Sequence, residues 1–204
     1  MRADTVRGTL SRVELAAALG AVDRRAAGGA ALAEEGEERP SRTLPDVTLW
    51  RQLDPYPLVG VIGPWNFPLL LSFVAAIPAL VAGCAAIIKP SEIAPRFVDA
   101  VARTVERIPE LNAALRFVHG DGRTGSALVH WVDCVAFTGS VATGRRVTSA
   151  AATNFIPAFL ELGGKDPAVA LPGADLGRAS ASILRASVAA TGQACRSIER
   201  IYAH

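Results

Sequence analysis

Residues 58–68 read LVGVIGPWNFP, a short apolar run that passes into a glycine and two prolines. The run is rich in β-branched residues, which favour strands, and proline fixes the backbone dihedral φ. The stretch therefore predicts a buried strand over residues 58–62, followed by a rigid turn. That turn holds the side-chain amide of Asn66 as a hydrogen-bond donor. The alternative is that Asn66 only caps a following helix, because Asn is a common cap.

The same alternation of strand and helix continues along the chain. Short runs rich in Val and Ile, separated by helical patterns, are typical of an α/β fold with a mostly parallel sheet and helices on both faces. Ligands bind such sheets at the carboxyl ends of the strands, so residues that follow strands are the candidate site. Strands are predicted at 58–62, 85–89, 115–119, 134–137, 158–162 and 168–171, and helices at 69–81, 94–108, 124–129, 141–152 and 176–190.

Residues 1–50 have a different composition, rich in Ala, Arg and Glu. The sequence SRVE at 11–14 has the spacing of a capping box, with Ser11 and Glu14 three residues apart. It predicts a helix over residues 12–25 that breaks at Gly28 and Gly29. The polar stretch over residues 34–40 is predicted to be a solvated face or loop.

Composition excludes several classes of function. The chain has 204 residues, half of them hydrophobic, and a net charge of +2, which gives no basis for binding nucleic acid or an anionic membrane. The apolar stretch 67–88 contains Pro68, Pro78 and Gly83, so we expect no membrane span. The three cysteines form no CxxC pair, and no signal peptide is recognisable, which predicts reduced thiols in the cytoplasm.

Four motifs together resemble the NAD(P)-dependent aldehyde dehydrogenase superfamily. They are GPWNFP at 63–68, KPSE at 89–92, FTGSVATG at 137–144, and FLELGGK at 159–165 followed by GQAC at 192–195. The resemblance spans about residues 58–204 and implies a Rossmann-like open sheet. It also implies an NAD(P)-dependent enzyme that oxidises a small-molecule aldehyde to a carboxylic acid, and full-length relatives that are homo-oligomers.

The resemblance implies three catalytic residues. Cys195 matches the family's nucleophile, and its polar neighbours favour a thiolate. Glu161 matches the general base, although from sequence alone a pair with Lys165 or an arginine explains it better. Asn66 matches the residue that stabilises the substrate oxygen as it becomes negative. Cys84 and Cys134 lie in apolar strands and are predicted to be buried core residues.

The resemblance also implies the cofactor contacts. Lys89 and Glu92 would hold the adenosine ribose, and a carboxylate there favours NAD over NADP because it repels a 2′-phosphate. The segment 139–144 would bind the pyrophosphate at a helix N-terminus, which the intact motif favours over the alternative that Ser140 is an ordinary cap. No metal site is expected, because the three histidines have no metal-ligand spacing. The implied cofactor contacts are Ile62, Gly63, Pro64, Trp65, Lys89, Ser91, Glu92, Gly122, Phe137, Gly139, Ser140, Thr143, Gly144, Leu162 and Gly163.

The resemblance predicts three parts for the chain. Residues 1–50 form an N-terminal helical segment, 51–165 a dinucleotide-binding domain, and 166–204 the start of a catalytic domain that is expected to be truncated. Two alternatives follow. One is a catalytically inactive module that binds NAD or a partner, and the other is a CoA-acylating dehydrogenase, which Glu161 disfavours.

Overall fold

The computed structural model describes residues 3–32 and 37–204, with side chains described for residues 11–29 and 38–204. Its centre is a sheet of five strands, all parallel, in the order β5-β4-β3-β6-β7. The predicted α/β class with a mostly parallel sheet is confirmed. The strands are β3 (Leu58–Ile62), β4 (Ala85–Lys89), β5 (Leu115–Phe117), β6 (Cys134–Gly139) and β7 (Ala158–Leu162).

Helices cover both faces of this sheet, because neighbouring residues of a strand point to opposite sides. On β6, Cys134 packs with α2 and α3 residues, whereas Val135 packs with α5 and α6 residues. Two apolar clusters therefore form the core, one on each face. The helices are α1 (Ala3–Leu32), α2 (Pro68–Val81), α3 (Phe97–Val105), α4 (Pro109–Ala114), α5 (Gly122–Val129), α6 (Val141–Thr153) and α7 (Leu176–Val188).

The structure corrects several predicted boundaries. The helix predicted over 94–108 is only α3, because Pro95 and Pro109 disfavour helical backbone in the residues before them. The strand predicted over 115–119 ends at Phe117, and the one predicted over 134–137 continues to Gly139. The helix predicted over 176–190 ends as α7 at Val188, and a 3-10 turn follows over Ala189–Gly192.

The N-terminal prediction was wrong in two respects. α1 continues through Gly28 and Gly29 instead of breaking there. The reason is tertiary packing: α1 lies along α2, and a Cβ built on Gly29 would lie 2.8 Å from Cγ1 of Val81, so glycine permits the close approach. Ser11 and Glu14 lie inside α1 and therefore do not begin a helix.

The predicted polar loop over 34–40 is in part a strand. Residues 33–36 lie outside the described residues, but β1 (Glu37–Pro40) pairs antiparallel with β2 (Thr48–Arg51). At the other end of the chain, β8 (Asp166–Ala170) and β9 (Ile198–Ala203) form a separate parallel pair joined through α7. The three-part domain division stays a prediction. No helix among the described residues has the length and apolar character that a membrane crossing requires.

We expect Gly63→Ala to destabilise the fold. A Cβ built on Gly63 would lie 2.1 Å from Oγ of the fully buried Ser72. Overpacking of this kind costs about 1–3 kcal/mol, which urea denaturation measures. Adding Ser72→Ala removes the hydroxyl and leaves the nearest side-chain atom, Cβ, at 3.3 Å. The double variant should therefore lose less than the sum of the two single losses, and additive losses would contradict the clash.

Candidate active site

The turns that follow β3 and β6 flank the reversal in strand order of the sheet. The chain passes from β3 outward to β4 and β5, then returns to the opposite side for β6 and β7. Open parallel sheets bind ligands at such a reversal, beyond the carboxyl ends of the strands. Residues 63–67 follow β3 and Ser140 follows β6, so both lie at this edge.

The turn after β3 is held at its start by the neighbouring strand. The Gly63 N–H donates to the Lys89 carbonyl at 3.0 Å. Asn66 does not cap α2, because the capping residue is Phe67 and no side chain within the turn provides a cap. Instead, Nδ2 of Asn66 donates to the carbonyl oxygen of Gln193 at 2.7 Å. The Asn66 amide therefore contacts the segment that carries Cys195.

Cys195 lies in a tight turn in which the Ser197 N–H donates to the Ala194 carbonyl at 3.0 Å. Its thiol is exposed, whereas Cys84 and Cys134 are buried, as predicted. Burial also raises the pKa of the Cys134 thiol. An exposed thiol in a polar turn is the accessible arrangement that reactive cysteines require.

The backbone before Cys195 is strained. Ala190 and Thr191 have φ of 51° and 59°, in the left-handed region that non-glycine residues rarely adopt. Each such residue costs of order 1–3 kcal/mol, and such strain clusters at functional sites. Tertiary contacts such as the Asn66–Gln193 hydrogen bond help to maintain this conformation.

Glu161 lies on β7 with its side chain exposed. In the part of the chain that the structure describes, Glu161 makes no ion pair, and Lys165 pairs with Glu199 instead. The alternative of a Glu161–Lys165 pair is therefore wrong. A Cβ built on Gly164 would lie 3.9 Å from the Cys195 carbonyl oxygen, so the segment after β7 approaches the cysteine turn. A Cβ on Gly163 would meet only open space.

Lys89 and Glu92 form an ion pair at the end of β4. Lys89 is only 3% exposed, and its Nζ lies 3.0 Å from Oε2 of the half-exposed Glu92. Hydrogen bonds from its own backbone N–H and then from Lys89 lower the pKa of Glu92. Ser91 is buried, and its Oγ accepts from the Ile93 N–H at 3.3 Å. The structure thus brings a donor and an acceptor together at the strand end.

The segment 139–144 has a structural role that needs no ligand, because it caps α6 and its glycines lie close to neighbouring side chains. Ser140 is the cap of α6 and accepts from the Thr143 N–H at 3.2 Å, as the alternative interpretation predicted. The first two N–H groups of α6, those of Val141 and Ala142, have no acceptor within the helix. A Cβ on Gly144 would lie 2.7 Å from Leu162, and one on Gly139 would lie 2.6 Å from the Phe137 ring.

The remaining predicted contacts lie around the same edge. Ile62 is buried at the end of β3, Trp65 is exposed in the turn, and Gly122 begins α5 after the Asp121 cap. No group of His, Cys, Asp or Glu in the described ranges could hold a metal ion. The roles of all the predicted site residues stay predictions.

Sequence reasoning missed one contact entirely. Oε1 of Glu14 accepts from the N–H of Leu69 at 2.8 Å and from that of Leu70 at 3.1 Å. Both N–H groups belong to the first turn of α2, directly after the Asn66 turn. The only local signal at Glu14 was the capping-box spacing, which indicated a different helix.

Comparison with known proteins identifies relatives that act on aldehydes. The profile of the aldehyde dehydrogenase family matches residues 9–204. Geranial dehydrogenase of Castellaniella defragrans is 45% identical over 181 residues, which are 85% of this chain and 37% of that protein. The 4,4'-diapolycopene aldehyde oxidase of a Methylomonas species is 43% identical over 149 residues, which are 72% of this chain and 28% of that protein.

Solved structures show the same relationship. The putative aldehyde dehydrogenase PutA from Anabaena variabilis superposes with a TM-score of 0.88 at 51% identity, over 94% of this chain and 40% of that one. Lactaldehyde dehydrogenase from Escherichia coli gives a TM-score of 0.86 at 35% identity, over 96% of this chain and 41% of that one. The chain thus spans well under half the length of these relatives.

We expect the Lys89–Glu92 pair to make stability depend on pH. Because the pKa of Glu92 is lowered on folding, its contribution is complete above the ordinary value of 4.5 and is lost as the pH falls through the folded value. At pH 7, Glu92→Gln should cost up to about 1 kcal/mol, since the carboxylate is half exposed and the amide oxygen of Gln can still accept from the buried Lys89.

Urea denaturation between pH 7 and pH 3 measures this effect. The difference between the wild type and Glu92→Gln should shrink below about pH 4.5. Glu106→Gln is the matched control, because Glu106 is exposed and makes no ion pair among the described residues. A difference that is the same at both ends of the range would contradict the pairing.

Proposed function

The chain belongs to the aldehyde dehydrogenase family, and we propose that it supplies the nucleophile and the nucleotide-binding part of an enzyme that oxidises an aldehyde to a carboxylic acid. The observation that carries the proposal is the hydrogen bond from Asn66 to the Gln193 carbonyl, between residues 127 apart in sequence. It brings a rigid amide donor to the segment of the exposed Cys195. An amide has two N–H groups, so one stays available for a substrate oxygen.

In the proposed first step, the Cys195 thiolate attacks the aldehyde carbon. A carbon–sulfur bond forms, and the carbonyl electron pair moves to oxygen, which gives a thiohemiacetal oxyanion. The free N–H of Asn66 and the backbone N–H of Cys195 would stabilise that charge. One such donor is worth about 3–4 kcal/mol in the transition state.

The second step releases the product. Loss of hydride from the thiohemiacetal carbon re-forms the carbonyl as a thioester on Cys195. Glu161 then takes a proton from water, and the resulting hydroxide adds to the thioester carbon. The carbon–sulfur bond breaks, the carboxylic acid leaves, and Cys195 is again a thiolate. The exposure of Glu161 and its lack of an ion partner within the described residues support this role.

The residues at the sheet edge fit a dinucleotide. Lys89 and Glu92 offer a donor and an acceptor for ribose hydroxyls, and the free N–H groups at the start of α6 suit a phosphate. Gly163 leaves open space beside its backbone. NAD or NADP, when bound, supplies the acceptor for the hydride.

We propose NAD as the preferred cofactor. The Glu92 carboxylate would repel a 2′-phosphate but would accept a hydrogen bond from a 2′-hydroxyl. The name of one relative carries the other cofactor: the putative succinate-semialdehyde dehydrogenase [NADP(+)] 2 of Mycobacterium tuberculosis is 40% identical over 149 residues. A cytoplasmic location accords with three free cysteines. The homo-oligomeric state of full-length relatives stays a prediction here.

Formation of NADH with a panel of simple aldehydes tests the proposal. We expect Cys195→Ala to abolish it, whereas the matched variant Cys84→Ala, at a buried cysteine, retains it. Glu161→Gln should still give one equivalent of NADH but should slow turnover by about 10²–10⁴-fold, because the thioester persists. Mass spectrometry would detect the acyl group on Cys195.

Two outcomes would contradict the proposed function. Turnover that survives Cys195→Ala would exclude this cysteine as the nucleophile. Absence of NADH in the wild type, together with a higher melting temperature in the presence of NAD, would instead identify a nucleotide-binding module without catalysis.

Cofactor preference is a separate test. Dissociation constants for NAD and NADP, measured by protein fluorescence, should favour NAD in the wild type. Glu92→Gln should reduce that preference about five- to tenfold, because one charge repulsion is worth about 1 kcal/mol. Glu106→Gln is again the control. An unchanged ratio in Glu92→Gln would show that this carboxylate does not select the cofactor.

A further inference from the structure

We propose that Glu14 is a positioning residue that holds the turn bearing Asn66 by capping α2 from the neighbouring helix. The inference rests on the proposed role of Asn66. Glu14 lies 52 residues before Asn66 in the sequence, and it acts through hydrogen bonds to the backbone of Leu69 and Leu70.

The start of α2 has no cap of its own. Helices leave their first N–H groups without intrahelical acceptors. In α2 the first residue is Pro68, which has no N–H, and the Leu71 N–H already donates to the Phe67 carbonyl at 3.0 Å. The N–H groups of Leu69 and Leu70 remain, and both donate to Oε1 of Glu14. One carboxylate oxygen therefore completes the hydrogen bonding of the first turn.

The local sequence could not supply this cap. The capping position is Phe67, which has no side-chain acceptor and is left-handed, with φ 48° and ψ 51°. Ser, Thr, Asp or Asn is the usual residue there. A carboxylate is the best substitute, because the positive end of the helix dipole attracts a negative charge.

The packing of α1 against α2 places Glu14 beside the first turn of α2. Ala18 and Ala21, four and seven residues after Glu14, are buried on the same helical face. Further along α1, Gly29 meets Val81 at the end of α2. Contacts at both ends mean that the two helices run parallel, with small residues between them. Glu14 is a charged residue on this shared face, level with the start of α2.

The cap bears directly on Asn66. The turn is held at Gly63 by the Lys89 carbonyl and by close contact with Ser72. Its other end is the strained Phe67, which continues into the first turn of α2. Without Glu14, two partly buried N–H groups would lose their acceptor, and Phe67 could leave the left-handed region. Asn66, next to Phe67, would then lose its fixed direction toward Gln193.

Nuclear magnetic resonance on the ¹⁵N-labelled full chain tests this inference without requiring catalysis. In Glu14→Ala we expect the Leu69 and Leu70 amides to exchange with solvent at least about tenfold faster. The side-chain NH₂ signals of Asn66, assigned by their loss in Asn66→Asp, should shift or broaden. Glu14→Gln, which keeps an acceptor oxygen, should restore both properties. Asp23→Ala, at an exposed acid on the same helix, should change neither.

Activity gives a second measurement. Where the wild type oxidises an aldehyde, Glu14→Ala should lower kcat about tenfold or more with little change in KM for NAD, because the donor to the oxyanion is displaced. Glu14→Gln should recover most of the rate. If Glu14→Ala does not fold, Glu14→Asp replaces it, since it keeps the charge but is one methylene shorter.

The outcomes separate the two proposals. Faster exchange at Leu69 and Leu70 with unchanged Asn66 signals would overturn the positioning role and leave Glu14 as a helix cap only. Unchanged exchange would overturn the cap as well. A wild type that forms no NADH would count against the proposed function, and the Asn66 signals would still decide the role of Glu14.

Discussion

A hydrogen bond between the Asn66 side chain and the Gln193 backbone joins the two parts of the candidate site. Asn66 follows a strand of the central sheet, whereas Gln193 precedes Cys195 in a segment outside that sheet. The relation between the donor and the thiol therefore depends on this contact and on the backbone that presents each partner. Both backbones include left-handed residues, Phe67 on one side and Ala190 and Thr191 on the other. The surrounding tertiary structure must over-determine such conformations if they are to persist.

Several residues of the family motifs have a packing reason that needs no ligand. Gly63 leaves room for Ser72, Gly144 for Leu162, and Gly139 for the Phe137 ring. These contacts bring helices and strand ends close together at the edge where a dinucleotide would bind. Packing and binding are therefore compatible explanations of the same glycines. A substitution at one of these glycines would therefore lower stability whether or not the glycine contacts a ligand.

The charged residues at this edge also have a structural role that is compatible with binding. Lys89 is almost fully buried, and burying a lone ammonium is expensive unless it is paired. Glu92 supplies the partner while its carboxylate stays half exposed, so it remains accessible to a ribose. Glu14 meets a similar requirement at the start of α2, where it satisfies two backbone donors. In both places a carboxylate neutralises a local positive charge next to a candidate binding residue.

The sequence was enough to predict the alternation of strands and helices and the burial of Cys84 and Cys134, which depend on local periodicity, and its motifs identified the candidate residues through their resemblance to the family. It did not determine the continuity of α1 through Gly28 and Gly29, which follows from packing against α2. It also gave no sign that Glu14 caps α2 or that Lys165 pairs with Glu199 rather than Glu161. These contacts join residues that are distant in sequence. They follow from the fold, because a side chain's partner depends on which elements lie next to each other.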